Sequence, residues 1–208
     1  MWIPSVRRAT EMVRLLLPIS LVLLTACSVA PTSPAGDAQH NLAEIQARLA
    51  AAYLQENRYA LALDKAEQAV AADPHYAPAY ATLALIRIAL GQDELAGQAY
   101  QKALRYAPQD PELQNAYGVY LCRRQEYAAA EAAFLRAAQD PLYVTPAMAL
   151  TNAGICASRA GAYEQATDYL QQALQRDPQS GRAASALSAL HKNASDVQAQ
   201  TTTLEVSP

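Results

Sequence analysis

Cys27 is the residue whose surroundings most clearly predict a covalent reaction. It lies in the stretch LVLLTACS, residues 21–28, where Leu, a small residue, Ala and Cys follow one another as in a bacterial lipobox. In such signals the cysteine thiol receives a diacylglycerol, the chain is cut before the cysteine, and the new amino group is acylated. We therefore expect Cys27 to carry a lipid. The alternative is an ordinary secretory signal that ends near a cysteine.

The residues before Cys27 have the order of a signal peptide. A basic region precedes an uncharged, Leu-rich run over 15–24, which is shorter than the roughly 20 apolar residues of a membrane span and fits a signal-peptide core. Translation from Met12 instead of Met1 would leave an equally complete signal. Ser28 stands where aspartate commonly marks retention in the inner membrane. We therefore expect removal of residues 1–26 and an acylated, outer-membrane lipoprotein that faces the periplasm.

The rest of the sequence contains no pattern that predicts catalysis. Its histidines, His40, His75 and His191, have no partners at metal-ligand spacing, and there is no phosphate-binding loop or GxSxG motif. The formal net charge of −3 becomes more negative once the basic signal is removed, which argues against nucleic-acid binding. We expect no enzyme activity, no cofactor, no metal site and no small-molecule substrate.

The elements that carry the remaining residues are predicted to be helices, because the chain is Ala-rich and has only 7 Gly. Residues 27–41 are rich in Pro, Ser and Ala without an apolar period, so we predict a flexible tether there. Residues 195–208 are polar and Thr-rich and are predicted to be a disordered tail.

A repeat of 34 residues organises the region between these two segments. Pro74 and Pro108 end similar segments and are 34 residues apart, the period of a tetratricopeptide (TPR) repeat. Counting from the prolines predicts repeats over about 43–76, 77–110, 111–144 and 147–180 and a capping helix over 181–194, with Thr145 and Pro146 inserted before the fourth repeat. The fold is therefore predicted to be an all-α TPR superhelical solenoid over 42–194, closed by a helix that covers the apolar end of the last repeat.

Residue types at equivalent places of the repeat have mechanical reasons. Small residues at the eighth and twentieth places let the two helices of a repeat cross closely, large residues at the fourth, seventh and twenty-fourth places fill the remaining space, and proline ends the second helix. The residues that mark these places are Tyr53, Ala62, Pro74, Leu83, Ala96, Pro108, Tyr117, Gly118, Ala130, Phe134, Gly154, Ala166 and Pro178.

The first helix of each repeat is expected to line an inner surface suited to a protein partner. Projecting the inward places predicts an apolar channel with a few polar side chains, which would accept an extended or helical segment. The residues at these places are Leu54, Leu85, Ile88, Asn115, Val119, Ile155 and Arg159. For each of them the sequence leaves two readings open, groove or inter-repeat core.

Cys122 and Cys156 remain as a pair once Cys27 is acylated. They lie near the ends of the first helices of neighbouring repeats, and a disulfide would fit an oxidising compartment if their Cβ atoms approach to about 3.5–4.5 Å. Two small buried thiols are the alternative.

The segment 115–157 resembles the central part of the type IV pilus biogenesis/stability lipoproteins, the PilW/PilF family. The features that carry the resemblance are Asn115, Tyr117-Gly118, Leu121-Cys122, the Asp-Pro-Leu-Tyr turn at 140–143 that breaks the period, Asn152, Gly154 and Cys156. The lipobox and the TPR array match as well, although the longer members of the family have more repeats.

The resemblance implies the role of a pilotin. Such a protein is an outer-membrane lipoprotein that helps the pilus secretin reach the outer membrane or multimerise in it, and so supports pilus assembly and twitching motility. The expected partner is therefore the type IV pilus secretin. A general periplasm-facing TPR scaffold for cell-envelope or peptidoglycan enzyme complexes is the alternative that the same architecture would serve.

Overall fold

The computed structural model describes residues 34–192, and this part of the chain consists of nine helices joined by short turns. The helices are α1 (Pro34–Gln55), α2 (Tyr59–Ala72), α3 (Ala77–Ala89), α4 (Asp93–Tyr106), α5 (Pro111–Arg123), α6 (Tyr127–Gln139), α7 (Pro146–Arg159), α8 (Tyr163–Arg176) and α9 (181–192). Within the described residues, no helix combines the length and the apolar character that crossing a membrane requires. Cys27, the predicted signal and the predicted tail lie outside the described residues.

The first helix begins at Pro34, inside the segment 27–41 that the sequence predicted to be a flexible tether. That prediction was wrong for residues 34–41, because proline is tolerated in the first turn of a helix and a distant contact holds the helix start. His40 Nδ1 lies 2.8 Å from Asp73 Oδ2, and its ring meets the Tyr76 ring edge-on at 5.0 Å. The hydrogen bond from His40 holds the pKa of Asp73 below its ordinary value.

The two helices of each pair are joined by a short turn, and each turn contains one residue with left-handed backbone geometry. These residues are Asn57, Gly91, Gln125 and Gly161, with φ of 59°, 71°, 62° and 81°. After each of them a backbone N–H donates to a carbonyl five residues earlier, as Arg58 N does to Tyr53 O at 2.9 Å, which satisfies the end of the preceding helix. Successive turns are 34, 34 and 36 residues apart. The longer third interval contains Thr145 and Pro146, and α7 begins at Pro146.

The residues predicted to mark the TPR places lie at helix crossings and helix ends. The alanines of the twentieth place, all fully buried, are Ala62, Ala96, Ala130 and Ala166. Tyr53, Leu83 and Tyr117 are partly buried and pack against the hydrophobic core. Pro74, Pro108 and Pro178 each follow the end of a second helix by two residues.

Two glycines of the eighth place lie directly beneath large side chains of the facing helix. A Cβ atom on Gly118 would lie 2.7 Å from the Phe134 ring, and one on Gly154 would lie 2.6 Å from Leu170 Cγ. Contacts below about 3.0 Å do not occur for real Cβ atoms. The third and fourth helix pairs can therefore cross as closely as they do only with glycine at these two places.

Candidate partner-binding groove

The first helices of the four pairs, α1, α3, α5 and α7, share one face of the array, which we call the A-helix face. α1 contacts α3, α5 contacts α7, and residues of α3 and α5 line one cavity, so side chains at equivalent places form rows across the helices. One row consists of Leu85, Val119 and Ile155, on α3, α5 and α7. Leu85 and Val119 are 45% and 40% exposed, and Ile155 is partly exposed. We call this row the aliphatic ladder.

Helices α5 and α7 are joined twice beneath the ladder. Asn152 Nδ2 donates a hydrogen bond to Asn115 Oδ1 at 2.9 Å, and a disulfide joins Cys122 to Cys156, with Cα atoms 5.8 Å apart. All four side chains are buried. Along each helix, the two joints lie on either side of the ladder residue. The joints therefore hold Val119 and Ile155 on a fixed support.

The seven residues predicted to line the groove fall into two groups. Leu54 and Ile88 are partly buried and pack against the core, and Asn115 is 7% exposed and hydrogen-bonded to another side chain. For these three residues the inter-repeat core is the reading that the structure favours. The residues that offer surface on the A-helix face are Leu85, Val119, Ile155 and Arg159. Their contact with a partner stays a prediction.

Open cavities flank the ladder at both ends. A cavity of about 240 Å³ lies between α3 and α5, and its lining includes Thr82, Leu85 and Glu112. At the other end, a cavity of about 250 Å³ lies between α7 and α9 and is lined by Ile155, Arg159 and Leu190 among others. A smaller cavity of about 80 Å³ between them contacts Val119, Ile155 and Arg159. The A-helix face therefore offers a series of open depressions sized for single side chains.

Arg182 on α9 borders the candidate groove, although the sequence did not predict it there. It lines the small cavity together with Val119, Ile155 and Arg159. The prediction treated α9 only as a cover for the last repeat. The repeat period would have predicted this position, because Arg182 lies 34 residues after Met148 on α7. Met148 is 42% exposed and lines a cavity with Arg182.

The turn between α6 and α7 forms a second surface that the sequence did not predict. Leu142 and Val144 are 87% and 83% exposed, whereas Tyr143 between them is buried. The Asp140 side chain accepts a hydrogen bond from Leu142 N at 2.8 Å. The turn that breaks the repeat period is thus anchored by its tyrosine and presents two aliphatic side chains to solvent.

Comparison with known proteins identifies the repeats. Family models described as tetratricopeptide repeat match residues 53–120 and 148–180. The crystal structure of YrrB, a TPR protein with an unusual peptide-binding site, aligns at 25% identity over 66% of this chain and 70% of that chain, with a TM-score of 0.57. Proteins with this fold generally act as non-catalytic scaffolds that bind other proteins.

Two further structures resemble this chain more specifically. PilW, a widely conserved type IV pilus biogenesis factor, aligns at 33% identity over 68% of this chain and 64% of that chain, with a TM-score of 0.65. This chain thus spans less than two thirds of the length of that PilW chain. PilF of Pseudomonas aeruginosa aligns at 25% identity over 79% of this chain and 74% of that chain, with a TM-score of 0.71. The chain therefore has an all-α TPR fold and is a protein-interaction module structurally similar to PilW and PilF.

Proposed function

We propose that this protein is a PilW/PilF-type lipoprotein that acts in type IV pilus biogenesis by assisting the localisation or multimerisation of the pilus secretin. The observation that carries the proposal is the likeness to PilW, at 33% identity and a TM-score of 0.65. The likeness to PilF supports it.

The geometry of the A-helix face agrees with this proposal. The sequence features that resemble the PilW/PilF family lie in 115–157, the segment that contains both joints between α5 and α7 and two of the three ladder residues. The most family-like part of the chain is therefore also the part that holds an open aliphatic surface in a fixed position. A secretin segment bound there would contact preformed structure, which lowers the entropic cost of binding.

The mechanism has two components. A lipid on Cys27 would hold the array at the inner leaflet of the outer membrane, and the A-helix face would capture a secretin segment. Because the captured secretin is then held close to the membrane, its effective concentration rises where its ring must insert. No chemical step is required, which agrees with a scaffold role.

A strain that lacks this protein tests the proposal. We expect loss of heat-resistant secretin multimers and of surface pili, and recovery of both when the wild-type gene is supplied again. Unchanged multimers and normal pili in the deletion strain would contradict the pilus function. An envelope defect without a pilus defect would favour the general scaffold instead.

A further inference from the structure

We infer that the A-helix face binds an extended segment that carries an acidic group and, about six residues away, a basic group, with aliphatic side chains between them. This inference rests on the proposed use of the A-helix face for partner binding. It goes further by giving the chemistry of the bound segment.

The acidic group is expected beside α7 and α9. Arg159 and Arg182 are exposed and line one cavity with Val119 and Ile155. In the described part of the chain neither arginine forms an ion pair, although four other arginines each pair with a glutamate, namely Arg48, Arg58, Arg87 and Arg124. Asp177 lines an adjoining cavity with Arg182 but does not pair with it. A guanidinium group matches a carboxylate with two parallel hydrogen bonds, so this pair of arginines favours a carboxylate in the occupant.

The basic group is expected at the other end of the ladder, between α3 and α5. Asp110 and Glu112 line the cavity there together with Leu85. The Asp110 side chain is already engaged, because it accepts a hydrogen bond from Leu113 N at 3.0 Å. Glu112 is exposed and forms no ion pair among residues 34–192. Its carboxylate is therefore available to a cation.

The spacing of the two ends sets the length of the segment. Glu112 lies in the first turn of α5 and Arg159 in the last turn of α7. Met148, the α7 residue equivalent to Glu112, lies eleven residues before Arg159, which is about 16 Å along the helix at about 1.5 Å per residue, and the contacting helices α5 and α7 are about 8–10 Å apart. The path between the two charged ends is therefore on the order of 20 Å. An extended chain covers about 3.3 Å per residue, which gives about six residues over this path. The cavities of about 240 Å³ and about 80 Å³ along it admit side chains one at a time, whereas a helix has a diameter of about 10–12 Å. The geometry thus favours an extended occupant.

Equilibrium binding of designed peptides tests this inference. The probe is a fluorescein-labelled peptide with lysine at one end, glutamate about six residues away, and leucine and valine between them. Two companion peptides carry glutamine in place of the glutamate or in place of the lysine. Each peptide is titrated with the full chain, and fluorescence anisotropy reports binding. The protein variants are R159Q/R182Q and E112Q, and R105Q is the matched control because Arg105 is an exposed, unpaired arginine on α4 within the described residues.

The wild-type chain should bind the doubly charged peptide about tenfold more tightly than the peptide that lacks the glutamate, since two arginine contacts are lost with it. This preference should disappear in R159Q/R182Q and persist in R105Q. E112Q should lower the affinity for the peptides that contain lysine and leave the affinity for the peptide with glutamine in place of lysine unchanged. Thermal unfolding curves like that of the wild type would show that the exposed substitutions leave the fold intact.

Equal affinity of the wild type for all three peptides, no binding of any peptide, or an unchanged preference in R159Q/R182Q would overturn the inference. These outcomes are separate from a failure of the pilus function. Charge-dependent binding together with normal pili in the deletion strain would uphold the inference and refute the pilus role. Loss of pili together with charge-independent binding would support the pilus role and refute the inference about the bound segment.

Discussion

Replacing Phe134 by alanine is expected to lower the free energy of unfolding by about 3–5 kcal/mol. Phe134 is 1% exposed, and its ring lies against Gly118, whose missing side chain makes room for it. The backbone at Gly118 is part of α5 and cannot move far into the vacated space, so a cavity would remain in the core.

The measurement is urea unfolding followed by helical circular dichroism, with the midpoint and slope fitted together. Tyr163→Ala is the matched control, because it also removes an aromatic ring but from a residue that is 60% exposed. Its effect is expected to stay within about 0.5 kcal/mol. If both variants unfolded at the same urea concentration, the packing described for α5 and α6 would be wrong.

Removing the disulfide between Cys122 and Cys156 is expected to cost about 3–4 kcal/mol. The two residues are 34 positions apart, and in the chain-entropy model closing a loop of this length restricts the unfolded state by roughly that amount. The variant is C122A/C156A, in which the two buried, disulfide-bonded cysteines are replaced by the small residue alanine.

Reductant supplies the internal control for this prediction. Reductant should lower the unfolding midpoint of the wild-type chain toward that of C122A/C156A, and it should leave the midpoint of C122A/C156A unchanged. Alkylation of the denatured protein should modify Cys122 and Cys156 only after reduction. Finding both thiols free without reductant in protein recovered from its native compartment would refute the disulfide.

The repeat architecture could be predicted because it depends on local rules. Proline cannot continue a helix, and small residues are needed wherever two helices cross closely, so Pro74, Pro108, Gly118 and Gly154 carried the pattern in the sequence itself. The start of α1 could not be predicted in this way. The second turn of α1 is supported by the contact of His40 with Asp73, which lies 33 residues away, and local rules do not contain a contact at that distance.

The groove was predictable only in part, because exposure depends on neighbouring helices. Val119 and Asn115 are both inward-facing by helical spacing. Asn115 is nevertheless buried, since Asn152 on α7 satisfies its amide oxygen, whereas Val119 stays 40% exposed. Arg182 joins the site only because α9 packs onto the fourth repeat. The exposure of these three residues is set by packing between helices that are distant in sequence. Helical periodicity gives no information about that packing.

The arrangement of the A-helix face connects the fold to its proposed role. The disulfide and the asparagine pair fix α5 against α7, the ladder offers an apolar surface, and we propose that the charges at its two ends select the orientation of a bound segment. Each of these features is independent of catalysis. Together they support the proposal that this surface binds one segment of a partner protein.

The most direct test of this account is the amount of heat-resistant secretin multimer in the deletion strain supplied with a V119R variant. Val119 is exposed on the ladder, so arginine there should block the surface while the chain stays folded. L95R is the matched control, because Leu95 on α4 is 45% exposed and lies outside the cavities of the A-helix face. With both variants present at the wild-type level, we predict that V119R leaves multimers at the level of the deletion strain and that L95R restores them. Full restoration of multimers by V119R would contradict the claim that the A-helix face binds the secretin.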